Sequence, residues 1–365
     1  MPKSTLAALI VAAGYSSRMH DFKPLLPLGQ KSALERLIQT YQAHGIEHIY
    51  VVIGYQKEVI IEALKDFNVH IVYNEAYDTG MFSSIQKGLQ AMHERVEAFY
   101  MHPVDIPLVK VETLERLYEA YKCEGKGVIY PTFLGRKGHP PLIATKYKAQ
   151  ILSSNGEGGL KKVLEAFEND ALHVKVCEQS ILMDMDKKAD YEALKVYEAQ
   201  CVPNEKECLA IMESCDVEEP IIKHCQAVGQ MVLRLLAENN LDFDTHTLLA
   251  AALVHDIARK EKNHAFVGAQ KLRAMGYESI ACLIETHMDI EVDVDAPLSA
   301  NEVLFLADKL VNEDEVCGFE KRFEKAYKKC EGNLDAQNNI AKRLNATKAI
   351  IAKIQSLTCK EFSYG

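Results

Sequence analysis

The stretch LIVAAGYSSRMHDFKPLLPL, residues 9–28, decides the reading of the N-terminal half. It opens as the apolar run that a buried strand needs, then places Gly14, Ser16, Ser17, Arg18 and Lys23 within a dozen residues. In an open parallel sheet, ligands sit beyond the carboxyl ends of the strands, so the loop after a first strand ending near Ala12 lies at the binding edge. Gly14 lets the backbone turn closely and leaves amide N–H groups facing an anion, to which the hydroxyls of Ser16 and Ser17 add donors. Arg18 and Lys23 bring full positive charge suited to a polyphosphate. A glycine loop alone is more often a plain turn with solvated cations. The full pattern A-A-G-x-S-x-R-M-x-x-x-K-x-L-L-P, starting at Ala12 and Ala13, is far more specific.

Outward from that stretch, short apolar runs alternate with amphipathic ones: LAALIVAAG, SALERLIQTYQAHG, HIYVVIGY, KEVIIEALKDF, VHIVYN, a helix after Ser83, then AFYMHPVD. This alternation predicts a doubly wound, mostly parallel α/β sheet. Ser32 followed by Glu35 is a capping box that starts a helix. Beyond about residue 206 the apolar spacing turns helical, as in HCQAVGQMVLRLLAEN and HTLLAAALVHDIA, which predicts an all-α second domain. The expected division is an α/β domain over 1–198, a linker over 199–206 containing Pro203, and a helical domain over 207–365.

The chain has 365 residues, 48% of them hydrophobic, enough for two cores. A formal charge of −10 disfavours nucleic acid as a partner. No apolar run reaches the ~18 residues that a membrane helix needs and no secretory series opens the chain, so a cytoplasmic protein without a membrane partner is expected. The ten cysteines form no C-x-x-C pair and read as reduced thiols. Cys201, Cys208 and Cys215 recur every seven residues, which reads as one helix face.

The N-terminal pattern resembles the molybdopterin nucleotidyltransferase family, its molybdenum cofactor cytidylyltransferases especially. Further segments come in the family's order: GMFSSIQKGL from Gly80, PVDIPLV with Asp105, GRKGHPPLI with Gly138 and His139, and DMDKKADY with Asp186. The resemblance implies a nucleotide site at Ala12, Ala13, Gly14, Ser16, Gly80, Ser83 and Ser84, with Arg18, Lys23 and Asp105 catalytic. Gly138 and His139 would touch the acceptor, and Asp105 and Asp186 would hold Mg²⁺. Ala12-Ala13-Gly14, where related guanylyltransferases read A-G-G, points to CTP over other nucleoside triphosphates. His20 stands where the family has glycine, and Lys187-Lys188 replace its Thr-Pro. The implied partners are CTP or another NTP, a molybdopterin-type or other phosphorylated acceptor, and a molybdoenzyme or cofactor-insertion protein. A sugar or polyol phosphate is the alternative acceptor. Read alone, Asp105 is equally a turn residue before Pro107.

In the second half, LVHDIARKEKNHAFVGA holds His255-Asp256 and His264. His20-Asp21 is another such dipeptide, so the pair alone says little. His224 comes earlier, and ETHMD with His287 and FLADKL with Asp308 come later. Histidine and carboxylate suit a divalent transition metal such as Mn, Fe or Zn, and helices can gather distant ligands in a bundle core. This order resembles the HD-domain metal-dependent phosphohydrolases. By that resemblance His224, His255, Asp256 and Asp308 hold one metal, while His264 and His287 hold a second metal or a phosphate. The competing expectation is a nucleotide-sensing module without turnover. His93, His173 and His246 have no such context.

Overall fold

The computed structural model describes residues 3–15, 19 and 21–362. It divides into two units, Met1–Gln200 and Cys201–Gly365. In the first, numbering strands within the main sheet, β1 is Leu6–Ala12, β2 His48–Ile53, β3 His70–Tyr73, β4 Ala98–Pro103, β5 Val128–Phe133, β6 Arg136–Lys137, β7 Leu142–Ala144 and β8 Ala171–Lys175. The order is β8-β5-β7-β4-β1-β2-β3, with β6 on β5. Strand β1 runs parallel to β2 and β4, and β8 runs parallel to β5; the short β7 is antiparallel to its neighbours. All seven residues of β1 are buried, as expected of a central strand covered on both faces.

Helices α1 (Ala33–Ala43), α2 (Lys57–Ala63), α3 (Met81–Ala91), α4 (Val111–Glu124), α5 (Lys148–Ser153), α6 (Gly159–Glu165) and α7 (Lys188–Ala199) complete this unit. Leu9, Val11, Val52 and Met101 pack with Phe82, Ile85 and Leu89 of α3 on one face. Successive residues of a strand point to opposite faces. Accordingly, Tyr100 and His102 turn the other way: the Tyr41 hydroxyl of α1 lies 2.7 Å from His102 Nδ1, and the Tyr100 hydroxyl donates to the Leu114 carbonyl of α4. The Ser32–Glu35 capping box is present. In register, Val11 faces Pro103 and Ala12 faces Ile53, and the Val104 N–H donates to the Val11 carbonyl at 3.1 Å. The loops that leave β1 and β4 therefore start side by side.

The second unit is helical: α8 (Glu205–Ser214), α9 (Glu219–Asn239), α10 (Thr245–Val254), α11 (His264–Ala274), α12 (Glu278–Glu285), α13 (Ala300–Leu310), α14 (Phe319–Lys329) and α15 (Leu334–Thr358), plus a two-residue hairpin at Val311–Asn312 and Glu315–Val316. Helix α10 is apolar nearly all round and runs through the middle of the bundle, packed by α8, α9, α12 and α13. Only residues 200–204 separate α7 from α8, and Asn204 caps α8 by accepting from the N–H groups of Lys206 and Glu207. The seven-residue cysteine spacing is not a helix face. Cys201 precedes α8, Cys215 is its C-cap, and Cys208 alone lies inside it.

Two candidate active sites

The N-terminal site forms where the loops after β1 and β4 meet the segment before α7. The Met185 N–H donates to the Asp105 carbonyl at 2.8 Å, which ties the chain carrying Asp186 to the loop carrying Asp105. Lys23 lies in the 3-10 turn Lys23–Leu25, its Nζ 2.8 Å from Asp186 Oδ1 and 3.8 Å from Asp105 Oδ2. Burial raises the Asp105 pKa above the ordinary carboxylate range; Lys23 opposes this, and Asp186 and Asp184 reinforce it. Two carboxylates thus share one ammonium. That donor set fits a hard divalent cation, which takes one or two protein carboxylates beside substrate phosphate oxygens.

Lys23 and Asp105 border a cleft of about 270 Å³ lined also by Ala12, Gly14, Gly80 and Ser84 among others. Gly14 is not in a left-handed conformation, and a Cβ there would meet nothing within 4 Å. Protein packing thus does not demand a glycine at this position; the bare backbone faces open space. Gly80, at φ 113°, is required by conformation at the start of α3. Ser83 is spent within the protein, on the Gly80 and Ala76 carbonyls. Ser84 accepts from Asn74 Nδ2 at 2.9 Å. Asn74, buried just past β3, also donates to Ser83 and carries no signal in the sequence, because a single Asn after a strand makes no pattern. The Ala13 carbonyl accepts from the Tyr55 N–H. Ser16, Ser17, Arg18 and His20 lie outside the described residues.

Gly138 and His139 are not in that cleft. They border a second cavity of about 650 Å³ with Met101, Tyr130, Leu160 and Lys161. A Cβ on Gly138 would stand 2.6 Å from the Ile181 carbonyl oxygen, so two backbones approach there as only glycine allows. The His139 Nδ1 is buried without a hydrogen-bond partner, and burial lowers the pKa of its ring.

In the helical unit, α9 contributes His224, the turn after α10 His255 and Asp256, the first residue of α11 His264, the turn after α12 His287, and the last turn of α13 Asp308. His224 Nε2 lies 3.2 Å from Asp308 Oδ1, and His255 Nε2 lies 3.6 Å from Asp256 Oδ2. His264 and His287 present Nε2 at 3.2 and 3.3 Å from Asp256 Oδ1. Two ligand clusters result, His224/His255/Asp256 and Asp256/His264/His287, sharing Asp256.

The second ring nitrogens decide the chemistry. Nδ1 of His224, His255 and His287 lies 2.7, 2.8 and 2.6 Å from the carbonyls of Glu313, Ala252 and Ile284. A carbonyl only accepts, so each Nδ1 carries the hydrogen and a neutral ring offers its Nε2 lone pair to the site. Burial pushes the His255 pKa down to about 4, so that ring is neutral near pH 7. Nε2 of His255 and of His287 is buried without a hydrogen-bond partner. Lone pairs aimed at carboxylates repel unless a cation lies between them, so the donor set fits a divalent metal. Two further residues hold Asp308. Lys309 Nζ is 2.5 Å from its Oδ2 and Arg322 3.2 Å from its Oδ1, and these two cations keep that carboxyl well below its usual range despite burial.

Residues 8–173 match the family model of the MobA-like NTP transferase domain, and residues 221–313 match that of the HD domain. The chain thus carries a nucleotidyltransferase domain followed by an HD domain. It is 24% identical over 193 residues to the molybdenum cofactor cytidylyltransferase of Escherichia coli, an alignment covering 53% of this chain and 96% of that protein. It is 34% identical over 122 residues to the bifunctional protein GlmU of Neisseria gonorrhoeae, covering 33% of this chain and only 26% of GlmU. The crystal structure of a homologue of Mycobacterium tuberculosis Rv0371c, from Mycobacterium sp. strain JC1, aligns over 54% of this chain and 98% of its own, with 20% identity and a TM-score of 0.48.

Proposed function

We propose that the N-terminal domain transfers CMP from CTP to a molybdopterin-type phosphate with release of pyrophosphate, and that the HD domain is a metal-dependent phosphohydrolase. The observation that carries the first half is the meeting of Lys23 and Asp105 at a cleft lined by the bare backbone of Gly14, with Asp186 held 2.8 Å from Lys23. Attack by a phosphate oxygen on the α-phosphorus needs positioning and charge neutralisation more than covalent help. Lys23 would orient the triphosphate, while Asp105 and Asp186 would hold Mg²⁺. When bound, that cation offsets the charge that grows as pyrophosphate leaves. Ala12, Gly14, Gly80 and Ser84 would seat the nucleotide, with Ala13, Ser16 and Arg18 close to Gly14 in the sequence. Gly138 and His139, on the neighbouring cavity, would meet the acceptor. The near-complete coverage of the E. coli cytidylyltransferase supports CTP and a molybdopterin acceptor.

The observation behind the second half is the pair of orphaned imidazole nitrogens, on His255 and His287, facing Asp256. His224, His255, Asp256 and Asp308 would hold one divalent metal such as Mn, Fe or Zn, and His264 and His287 with Asp256 a second. Such a metal, when bound, supplies Lewis acidity toward a phosphate. The test of the transferase is purified protein with Mg²⁺, each of CTP, GTP, ATP and UTP, and molybdopterin or sugar and polyol phosphates, with pyrophosphate as the readout. CTP with molybdopterin should give the fastest release; equal or absent turnover with CTP rejects the assignment. The test of the HD domain is metal analysis of the purified protein beside assays on phosphomonoesters, phosphodiesters and nucleotides. Bound metal without turnover on any of them would make it a sensor.

A further inference from the structure

Asp105 sits in a turn from Pro103 to Ile106, closed by the Ile106 N–H on the Pro103 carbonyl at 3.2 Å. The Val104 N–H ties that turn to the Val11 carbonyl of β1 at 3.1 Å, and the Asp105 carbonyl accepts from the Met185 N–H at 2.8 Å. Both ties join backbone to backbone. A further one comes from a side chain: His102 Nε2 lies 2.8 Å from the Ile106 carbonyl, while its Nδ1 lies 2.7 Å from the Tyr41 hydroxyl of α1. A carbonyl only accepts, so Nε2 carries the hydrogen and Nδ1 accepts from Tyr41. Hydroxyl, ring and carbonyl thus form one polarised chain from α1 to the residue after Asp105.

His102 is 1% exposed and Tyr41 fully buried. Burial pushes the His102 pKa down to about 3, so the ring is neutral and its N–H stays on the carbonyl. A buried polar ring is costly unless its nitrogens are bonded, and an aliphatic side chain would fill space without that cost. What the imidazole adds is its hold on the turn. Lys23 stands 3.8 Å from the Asp105 carboxylate, beyond hydrogen-bond reach, so the aim of that carboxylate depends on the turn.

We infer that His102, fixed by Tyr41, is a positioning residue that sets the Asp105 carboxylate toward a divalent cation in the N-terminal cleft. This deepens the reading of Asp105 as a ligand proposed above and rests on it. The experiment uses the full chain carrying Asp256→Ala, so that the HD ligands do not compete, stripped of metal and titrated with Mn²⁺ alone. In that background His102→Leu should weaken Mn²⁺ binding by at least ~10-fold, the size usual for removing a group that orients a metal ligand. His102→Gln, whose amide keeps an N–H for the Ile106 carbonyl, should stay within ~3-fold of the parent. Tyr41→Phe, which keeps the ring but frees it to turn, should fall between the two. Denaturant unfolding is measured alongside, since a merely structural role lowers stability without moving the affinity. His102→Leu that binds Mn²⁺ as the parent does, or His102→Gln that binds as poorly as His102→Leu, overturns the inference. If His102→Leu does not fold, Tyr41→Phe decides, and an affinity equal to the parent's overturns it. Absence of Mn²⁺ binding in the parent, or binding that survives Asp105→Ala, overturns instead the reading of Asp105 as a ligand.

Discussion

Lys23 stands between two acids, 2.8 Å from one and 3.8 Å from the other, and this placement gives it two duties. It balances the carboxylates of the cleft, and it is the described cation nearest to where a triphosphate would lie. Lys23→Ala and Asp105→Ala should each slow nucleotidyl transfer by at least ~100-fold, the scale of losing one preorganised electrostatic contact. Initial rates of pyrophosphate release measure this. Near-normal rates in both variants, with every acceptor tried, would make the residues structural. At this scale the sequence shows the residues whose types are rare or ordered: His255-Asp256, the later histidines, and Asp105 before Pro107. It does not show Asn74, Lys309 or Arg322. Each is a common residue with no local pattern, and its role arises only when the fold brings it to Ser84 or Asp308 from elsewhere in the chain or aims it there within its own helix.

Among the elements, α4 hides a device that the sequence does not advertise. Glu178, fully buried, reaches the N-terminus of α4 and accepts from the Lys110 N–H at 2.8 Å, the Thr113 hydroxyl at 2.5 Å and the Ser180 hydroxyl. It joins the stretch leading from Asp105 to the stretch leading to Asp186. Burial pushes its pKa up to about 7, outweighing Lys110 and these hydrogen bonds. A carboxyl whose pKa is raised on folding binds its proton more tightly in the folded state. Its stabilising contribution is therefore full below about 4.5 and is lost as pH rises toward 7. Against Glu178→Gln, which cannot ionise, the wild type should lose on the order of 3 kcal/mol between those limits and stay level above them. Denaturant unfolding of the N-terminal transition at several pH values checks the sign, and a difference independent of pH rejects it. By contrast, the Ser32–Glu35 cap of α1 is legible because both partners lie within four residues. Ser32→Ala should destabilise the N-terminal unit by about 1 kcal/mol, which the same denaturant titration reads. The boundaries of α3 and α8 are less legible: a glycine at φ 113° starts one, and an asparagine cap starts the other just after Pro203.

For the whole molecule, the change of texture near residue 200 reflects two ways of burying apolar surface. One is a sheet whose central strand is continuously apolar; the other is a bundle around an apolar α10. Each unit holds its own core and its own candidate metal ligands, all six of the HD set falling after residue 201 and both N-terminal carboxylates before it. If the two chemistries are independent, the lesions should separate. Asp256→Ala removes the carboxylate that both HD clusters share, so it should lose bound transition metal and phosphohydrolase activity while cytidylyl transfer stays within a few-fold. Asp105→Ala should do the converse, abolishing transfer while metal content of the HD site is retained. Metal analysis and both assays on the same preparations, with circular dichroism to confirm folding, make the comparison. A folded Asp256→Ala protein that has also lost nucleotidyl transfer would mean that the HD domain acts within the transferase reaction itself. In that case the metal-bound and metal-free forms of the wild type should also differ in their transfer rates.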